Sequence, residues 1–153
     1  MKTDLLTLLE REHRDMEGRL KMLISTGEAC QCVDMHALRK VIQYQALHSR
    51  AEEAFLYPRA QAEREVAKLI AGFQQEHQEI KQLMDSLVVD NQVTSDVRFM
   101  LKVCHQLLKV LERHVHEEES SLFPVLRAQW DEDVLLELGD KMLEMKDRML
   151  IGT

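Results

Sequence analysis

Apolar residues recur at three- and four-residue intervals along most of the chain, the spacing that lines one face of an α-helix. Leu5, Leu6, Leu8, Leu9, Met16, Leu20, Leu23 and Ile24 predict a first helix from about Thr3 to Ser25. The stretch Thr26 to Cys32 predicts its end. Asp34 is placed to cap a second helix that runs to Pro58, with Leu38, Val41, Ile42, Leu47 and Phe55 inward. A third helix is expected from about Ala62 to Val88, carrying Ala67, Ile70, Phe73, His77, Ile80, Met84 and Leu87 on one stripe. Asp90-Asn91-Gln92 reads as the next break. A fourth helix should run from Ser95 or Asp96 to near Phe123, with Phe99, Val103, Leu107, Val110 and Leu111 on its buried face. Asp131 is positioned to cap a fifth, from Glu132 to about Leu150. Long helices joined by short connections predict an all-α fold, an up-down-up-down four-helix bundle with a C-terminal fifth helix. That last helix is expected to cross the bundle or to pair with another copy in a homodimer.

The chain has 153 residues, which predicts a single domain, with the bundle at about 3–124 and the C-terminal helix at about 131–150. Five glycines and two prolines leave too few turns for a β-sandwich or barrel. The net charge is −7, with no basic block, so nucleic acid is not an expected partner. No apolar run approaches the roughly 20 residues that span a bilayer. The first residues, MKTDLLTLLERE, carry charges inside their apolar stretch and do not read as a signal peptide. Cys30 and Cys32 lie too close to staple distant elements. They are expected as reduced thiols in a cytoplasmic protein.

The chain repeats itself. His48-Ser-Arg-Ala-Glu52-Glu53-Ala-Phe-Leu56-Tyr57-Pro58 aligns with His114-Val-His-Glu-Glu118-Glu119-Ser-Ser-Leu122-Phe123-Pro124. Both prolines of the chain fall at matching positions. Glu12-His13 likewise aligns with Glu76-His77, followed by Leu20 with Met84 and Leu23 with Leu87. The chain therefore reads as two helical hairpins with pseudo-twofold symmetry. Each has one His on its first helix and a His-x-x-x-Glu pair on its second.

Residues four apart on a helix differ by only about 40° in direction. His48 and Glu52 thus point the same way, as do His114 and Glu118. An imidazole nitrogen and a carboxylate oxygen from each helix can reach a metal, and a carboxylate, with two oxygens, can bridge two. Four His and two Glu suffice for a two-metal site: His13, His48, Glu52, His77, His114 and Glu118. Such ligands suit iron, manganese or zinc. An acid four residues from a His is also a common solvated ion pair. Six such groups in one core, however, would be costly without a cation. His36, His105 and His116 point away from these faces and are expected at the surface. Glu17 is set aside because its repeat partner is Lys81. Glu12, Glu53, Glu76 and Glu119, each next to a proposed ligand, read as either solvent-facing or supporting residues.

These residues, with the Leu-Tyr-Pro and Leu-Phe-Pro endings, resemble the hemerythrin-like, HHE cation-binding family over nearly the whole chain. The resemblance implies two Fe ions, bridged by an oxo or hydroxo group. His13 and His48 would hold one, His77 and His114 the other, and Glu52 and Glu118 would bridge. The oxygen-carrying members have a fifth His where this chain has Lys81, and their fourth helix carries HxxxxD where this one has HxxxE. The resemblance thus implies a nearly symmetric site and a small oxidant, O2, NO or H2O2, as the ligand bound or reduced. An iron- or oxygen-sensing module without turnover is the alternative. Whether the protein is an enzyme stays open, and no catalytic residue is assigned.

Overall fold

The computed structural model describes residues 2–89, 92–93 and 95–151. Helix α1 spans Leu5–Cys30 and α2 spans Met35–Ala51. A π-helical turn, Glu52–Leu56, leads from α2 into the short α3, Tyr57–Ala60. Helix α4 covers Ala67–Ser86 and α5 covers Val97–Glu117. A second π-helical turn, Glu118–Leu122, leads into α6, Phe123–Gln129. Helix α7, Glu132–Ile151, closes the chain. The architecture is the all-α bundle with a C-terminal helix that the periodicity predicts.

Carboxylates cap three of the helices, Asp34 and Asp96 among the positions the sequence offers. Asp4, Asp34 and Asp96 accept the free N–H of Thr7, Ala37 and Phe99 at 3.0, 3.1 and 3.1 Å, each meeting a donor that has no helical partner. The Asp131 carbonyl accepts from Val134 and Leu135 at the start of α7.

Three boundaries differ from expectation. Helix α1 continues past Ser25 to Cys30. Gly27 sits inside it because a Cβ there would stand 2.5 Å from Leu101 Cδ2, so its small size serves a close helix contact rather than a turn. Helix α4 starts at Ala67 rather than Ala62, after turns closed by Glu63 and Val66. In the expected break, Asp90 and Asn91 lie outside the described residues. Gln92 is in a minimal ribbon in which Val88–Val89 pairs antiparallel with Gln92–Val93.

The two prolines do not end their helices. Each follows a widened turn. A proline ring clashes with the carbonyl four residues back, here Ala54 and Ser120, and gives no N–H to the ladder. One π-helical turn makes room for it, and the chain then resumes as α-helix.

Helix α7 packs on its own bundle. Gly139 is pressed so close to α1 that a Cβ would stand 2.3 Å from the Thr3 carbonyl oxygen. Leu135, Leu138 and Met142 are buried there. No helix among the described residues is long and apolar enough to cross a membrane.

The core falls into two apolar clusters. One gathers Leu5, Leu9, Leu56, Tyr57, Phe73, Phe123 and Met142, among others. The second includes Met16, Leu20, Leu38, Ile80, Leu107 and Leu111. Between Leu9 and Met16 on α1, and at matching heights on the other helices, lies a layer of buried His and Glu.

Candidate metal centre

That layer holds His13, His48, Glu52, His77, His114 and Glu118, all buried. The bundle thus brings together all six residues singled out from the repeat. His13 comes from α1, His77 from α4, and His48 and His114 from the last turns of α2 and α5. Glu52 and Glu118 each open a π-helical turn. The proline that imposes that turn therefore also shapes the backbone at each carboxylate.

Donor atoms gather in two groups, each tight enough to hold one ion. His13, His48, Glu52 and Glu118 form the first; Glu52, His77 and His114 form the second. Glu52 belongs to both. Glu118 also reaches the second group, its Oε2 lying 3.1 Å from His114 Nε2.

Each imidazole is held from behind by a carboxylate on its Nδ1. Glu119 lies 2.7 Å from His13 Nδ1 and Glu12 lies 2.8 Å from His48 Nδ1. Glu53 lies 2.9 Å from His77 Nδ1 and Glu76 lies 3.1 Å from His114 Nδ1. An ionised carboxylate only accepts, so Nδ1 is the donor in every case. That arrangement turns Nε2 toward the centre as the ligand atom. These four acids are the ones that adjacency left ambiguous. The structure gives them supporting positions, and the clue in the sequence was their recurrence with the repeat, Glu12 with Glu76 and Glu53 with Glu119. Arg14 fixes Glu119 at 2.6 Å, Arg113 fixes Glu76 at 2.9 Å, and Lys146 of α7 pairs with Glu12.

The charges explain the titration. Burial disfavours ionised Glu52, yet the His48 charge, with Glu118, His114 and His13 close by, outweighs it and holds Glu52 well below the usual carboxylate range. Burial likewise disfavours a charged His13, but Glu118, Glu119 and Glu52 raise it well above its ordinary value. His114 rises well above it in the same way, through Glu118, Glu52 and Glu76. His48 is raised against burial by Glu52 and Glu12. With the four supporting acids included, carboxylates outnumber imidazoles here, a charge balance that suits a cation.

A cation fits this donor set. Among the described residues, the buried side-chain atoms without a hydrogen-bond partner are His13 Nε2, His48 Nε2, Glu52 Oε1, Glu118 Oε1 and Gln45 Oε1. All but the last face the first group. His13 Nε2 stands 3.3 Å from Glu118 Oε1, and His48 Nε2 lies against Glu52 Oε1, without hydrogen-bond geometry in either pair. Buried polar atoms are rarely left unpaired, and a metal would satisfy all four.

The two groups are not alike, which corrects the expectation of a nearly symmetric site. Tyr57 and Phe123 occupy equivalent repeat positions, and only tyrosine carries an oxygen. The Tyr57 hydroxyl enters the second group, 2.6 Å from Glu52 Oε2 and 2.7 Å from Glu118 Oε2. It is also 3.2 Å from His77 Nε2 and 3.5 Å from His114 Nε2. Burial, then the Glu118 and Glu52 charges, raise its pKa well above the tyrosine value, so it stays a hydroxyl. In the first group Phe123 stacks on His13 with ring centroids 6.0 Å apart. In the sequence Tyr57 stands out only as an aromatic match to Phe123.

The residues expected elsewhere are elsewhere. His36, His105 and His116 are exposed, and His105 pairs with Glu28 at 2.6 Å. Glu17 lies 3.6 Å from Arg14, outside both groups. Lys81 points outward and pairs with Asp85 at 2.7 Å. Cys30 and Cys32 differ from expectation: they form a disulfide.

A cavity of about 320 Å³ reaches His77 from the surface, lined also by Ser49, Arg50, Glu53, Lys81 and Met84. A groove of about 530 Å³ lies elsewhere, along α1 and the start of α2, and touches none of the six residues.

Comparison with protein families agrees with the geometry. The hemerythrin HHE cation-binding domain matches residues 4–126 and, in a second overlapping match, residues 75–147. The chain belongs to that family, and with it to proteins that bind metal cations. The second match begins just before His77, as a repeated hairpin allows. No curated protein matches the chain closely.

Proposed function

We propose that the chain is a single-domain di-iron protein that binds or reduces a small oxidant, O2, NO or H2O2, at the half of the centre that Tyr57 enters. His13 and His48 would hold one iron, His77 and His114 the other, with Glu52 and Glu118 bridging. Iron bound there supplies the electrons and the open coordination positions that such oxidants need.

The observation that carries the reading is the inequality of the two donor groups. Each group has two imidazoles and both carboxylates within reach, Glu118 Oε2 lying 3.1 Å from His114 Nε2, and the second alone adds a hydroxyl and a cavity that reaches His77. We place the guest in that half, which the cavity approaches from the Glu53 side of His77. Tyr57 would donate its hydrogen bond to a guest oxygen or hold a proton between Glu52 and Glu118. The apolar clusters on both sides of the layer keep bulk water from the ligands.

The test is metal content together with the visible spectrum before and after reduction. About two irons per chain and a band that bleaches on reduction and returns with oxidant are expected. Stoichiometric zinc with no visible band would overturn the redox reading.

A sensing role is the second reading, favoured by one contact. Lys146 of α7 holds Glu12, which holds His48, so α7 is tied to the centre. That reading expects metal loading to change hydrogen-exchange protection in α7. Equal protection in the metal-free and loaded protein would remove it.

A further inference from the structure

The turn between α1 and α2 carries a second set of reactive groups. Cys30 is the last residue of α1, and Gln31 after it takes the left-handed conformation, φ 54°. A side-chain-bearing residue seldom adopts that conformation. The sulfurs of Cys30 and Cys32 are bonded, and both residues are exposed. Cys104, the free cysteine, is buried. On α1, His13 and Cys30 are separated by about 25 Å at the helical rise, so the turn is remote from the metal ligands.

This disulfide does little as a staple. It links residues two apart in sequence, and so small a loop removes little freedom from the unfolded chain. It joins no elements that the backbone does not already join. Its position suits reaction instead, because thiol–disulfide exchange requires an attacking thiolate to reach a sulfur, and exposed disulfides are the labile ones. The groove along α1 and α2 has Thr26, Gly27 and Asp34 in its wall, residues that flank the disulfide in sequence. The groove brings open surface up to the turn on its α1 side. Cys30 lies at the carbonyl end of α1, where the helix field disfavours a thiolate. Cys32 is then the better leaving group, and Cys30 the sulfur attacked.

We propose that Cys30–Cys32 is a thiol–disulfide exchange site whose substrate is a dithiol protein. A thiolate of that protein attacks Cys30 Sγ. The bond between the two sulfurs breaks, and its electron pair leaves on Cys32, which takes up a proton. The partner's second thiol then loses its proton and attacks the partner's first sulfur. The mixed disulfide breaks, and its electron pair leaves on Cys30, which is protonated. Two electrons and two protons pass from the partner dithiol to the cysteine pair, and the partner becomes a disulfide.

The experiment uses the metal-loaded, full-length protein and a thioredoxin whose resolving cysteine is replaced by serine. A one-to-one adduct is expected, cleaved by dithiothreitol and mapped to Cys30 by peptide mass spectrometry. Cys30→Ser and Cys32→Ser should each abolish the adduct and leave metal content unchanged. Iodoacetamide should label two further thiols per chain after native reduction. An adduct or labelling that needs denaturant, an adduct on Cys104, or thiols that stay free in oxidised dithiothreitol would each overturn the proposal.

Discussion

The two halves of the centre share a backbone and differ in their surroundings. His13 and His48 lie with ring centroids 4.7 Å apart, backed by Phe123. His77 and His114 lie 4.9 Å apart, beside Tyr57 and Phe73. Each imidazole has one carboxylate behind it. One half is closed by a phenyl ring, while the other contains a hydroxyl and meets a cavity. A repeat can therefore place ligands by symmetry while one atom at a matched position makes the sites chemically unequal.

Removing what the halves share should have the largest effect. Glu52 belongs to both donor groups, so Glu52→Ala is expected to lose both metals, leaving under a tenth of wild-type content by elemental analysis. A variant that keeps full occupancy would show that Glu52 bridges nothing.

Making the halves alike comes next. Tyr57→Phe should keep both metals and slow the reaction with oxidant by about 10- to 100-fold, the usual range for a lost supporting hydrogen bond. Stopped-flow spectroscopy reads this. An unchanged rate would place the open half on the Phe123 side, and Phe123→Tyr would then be the informative variant.

The supporting acids sharpen the comparison further. Glu76→Gln should weaken metal binding by about tenfold or more, because Glu76 is buried and shared with Arg113. Glu53→Gln should weaken it less, because the Glu53 side chain is 52% exposed and water can replace it. Competition with a coloured chelator measures both. Equal losses would mean that burial does not set the strength of this support.

The smallest expected effect is on the pH dependence of the metal-free protein. Burial would raise Glu12, Glu76 and Glu119, but their histidine partners, helped by Lys146, Arg113 and Arg14, hold all three below the ordinary carboxylate value. Their stabilisation is present above the unfolded pKa and lost as pH falls through the depressed folded value. His13, His48 and His114 are raised, so theirs is present below about 6.5 and lost as pH rises through the folded value. The metal-free protein should melt highest in mildly acidic solution and lower on both sides. Metal affinity should rise with pH across the same range, since binding displaces the Nε2 protons. A melting temperature that climbs steadily into alkaline pH would contradict the histidine shifts.

Much of this was legible in the residues. Apolar spacing located the helices, because a helix in water must present one apolar face to a core. The matched His-x-x-x-Glu pairs located four of the six candidate ligands, because four residues make about one turn. Boundaries were less legible. Gly27 reads as a break, and only its contact with Leu101 gives it a place inside α1. Pro58 and Pro124 read as stops, yet a widened turn carries each helix past them. The cysteines read as separate thiols in the sequence, whereas the left-handed Gln31 brings their sulfurs together.

By itself, the sequence determined the helical class, the repeat and which six residues to single out, since all three follow from spacing along single helices and its recurrence. The tertiary structure decided what periodicity cannot carry, namely contacts between helices. It assigned one carboxylate to each imidazole, Glu119 of one hairpin to His13 of the other and Glu12 of α1 to His48 of α2. It set the Tyr57 hydroxyl, from the first hairpin, against His77 and His114 of the second. The inequality of the halves arises there, because which atom enters a core is fixed by packing across the bundle.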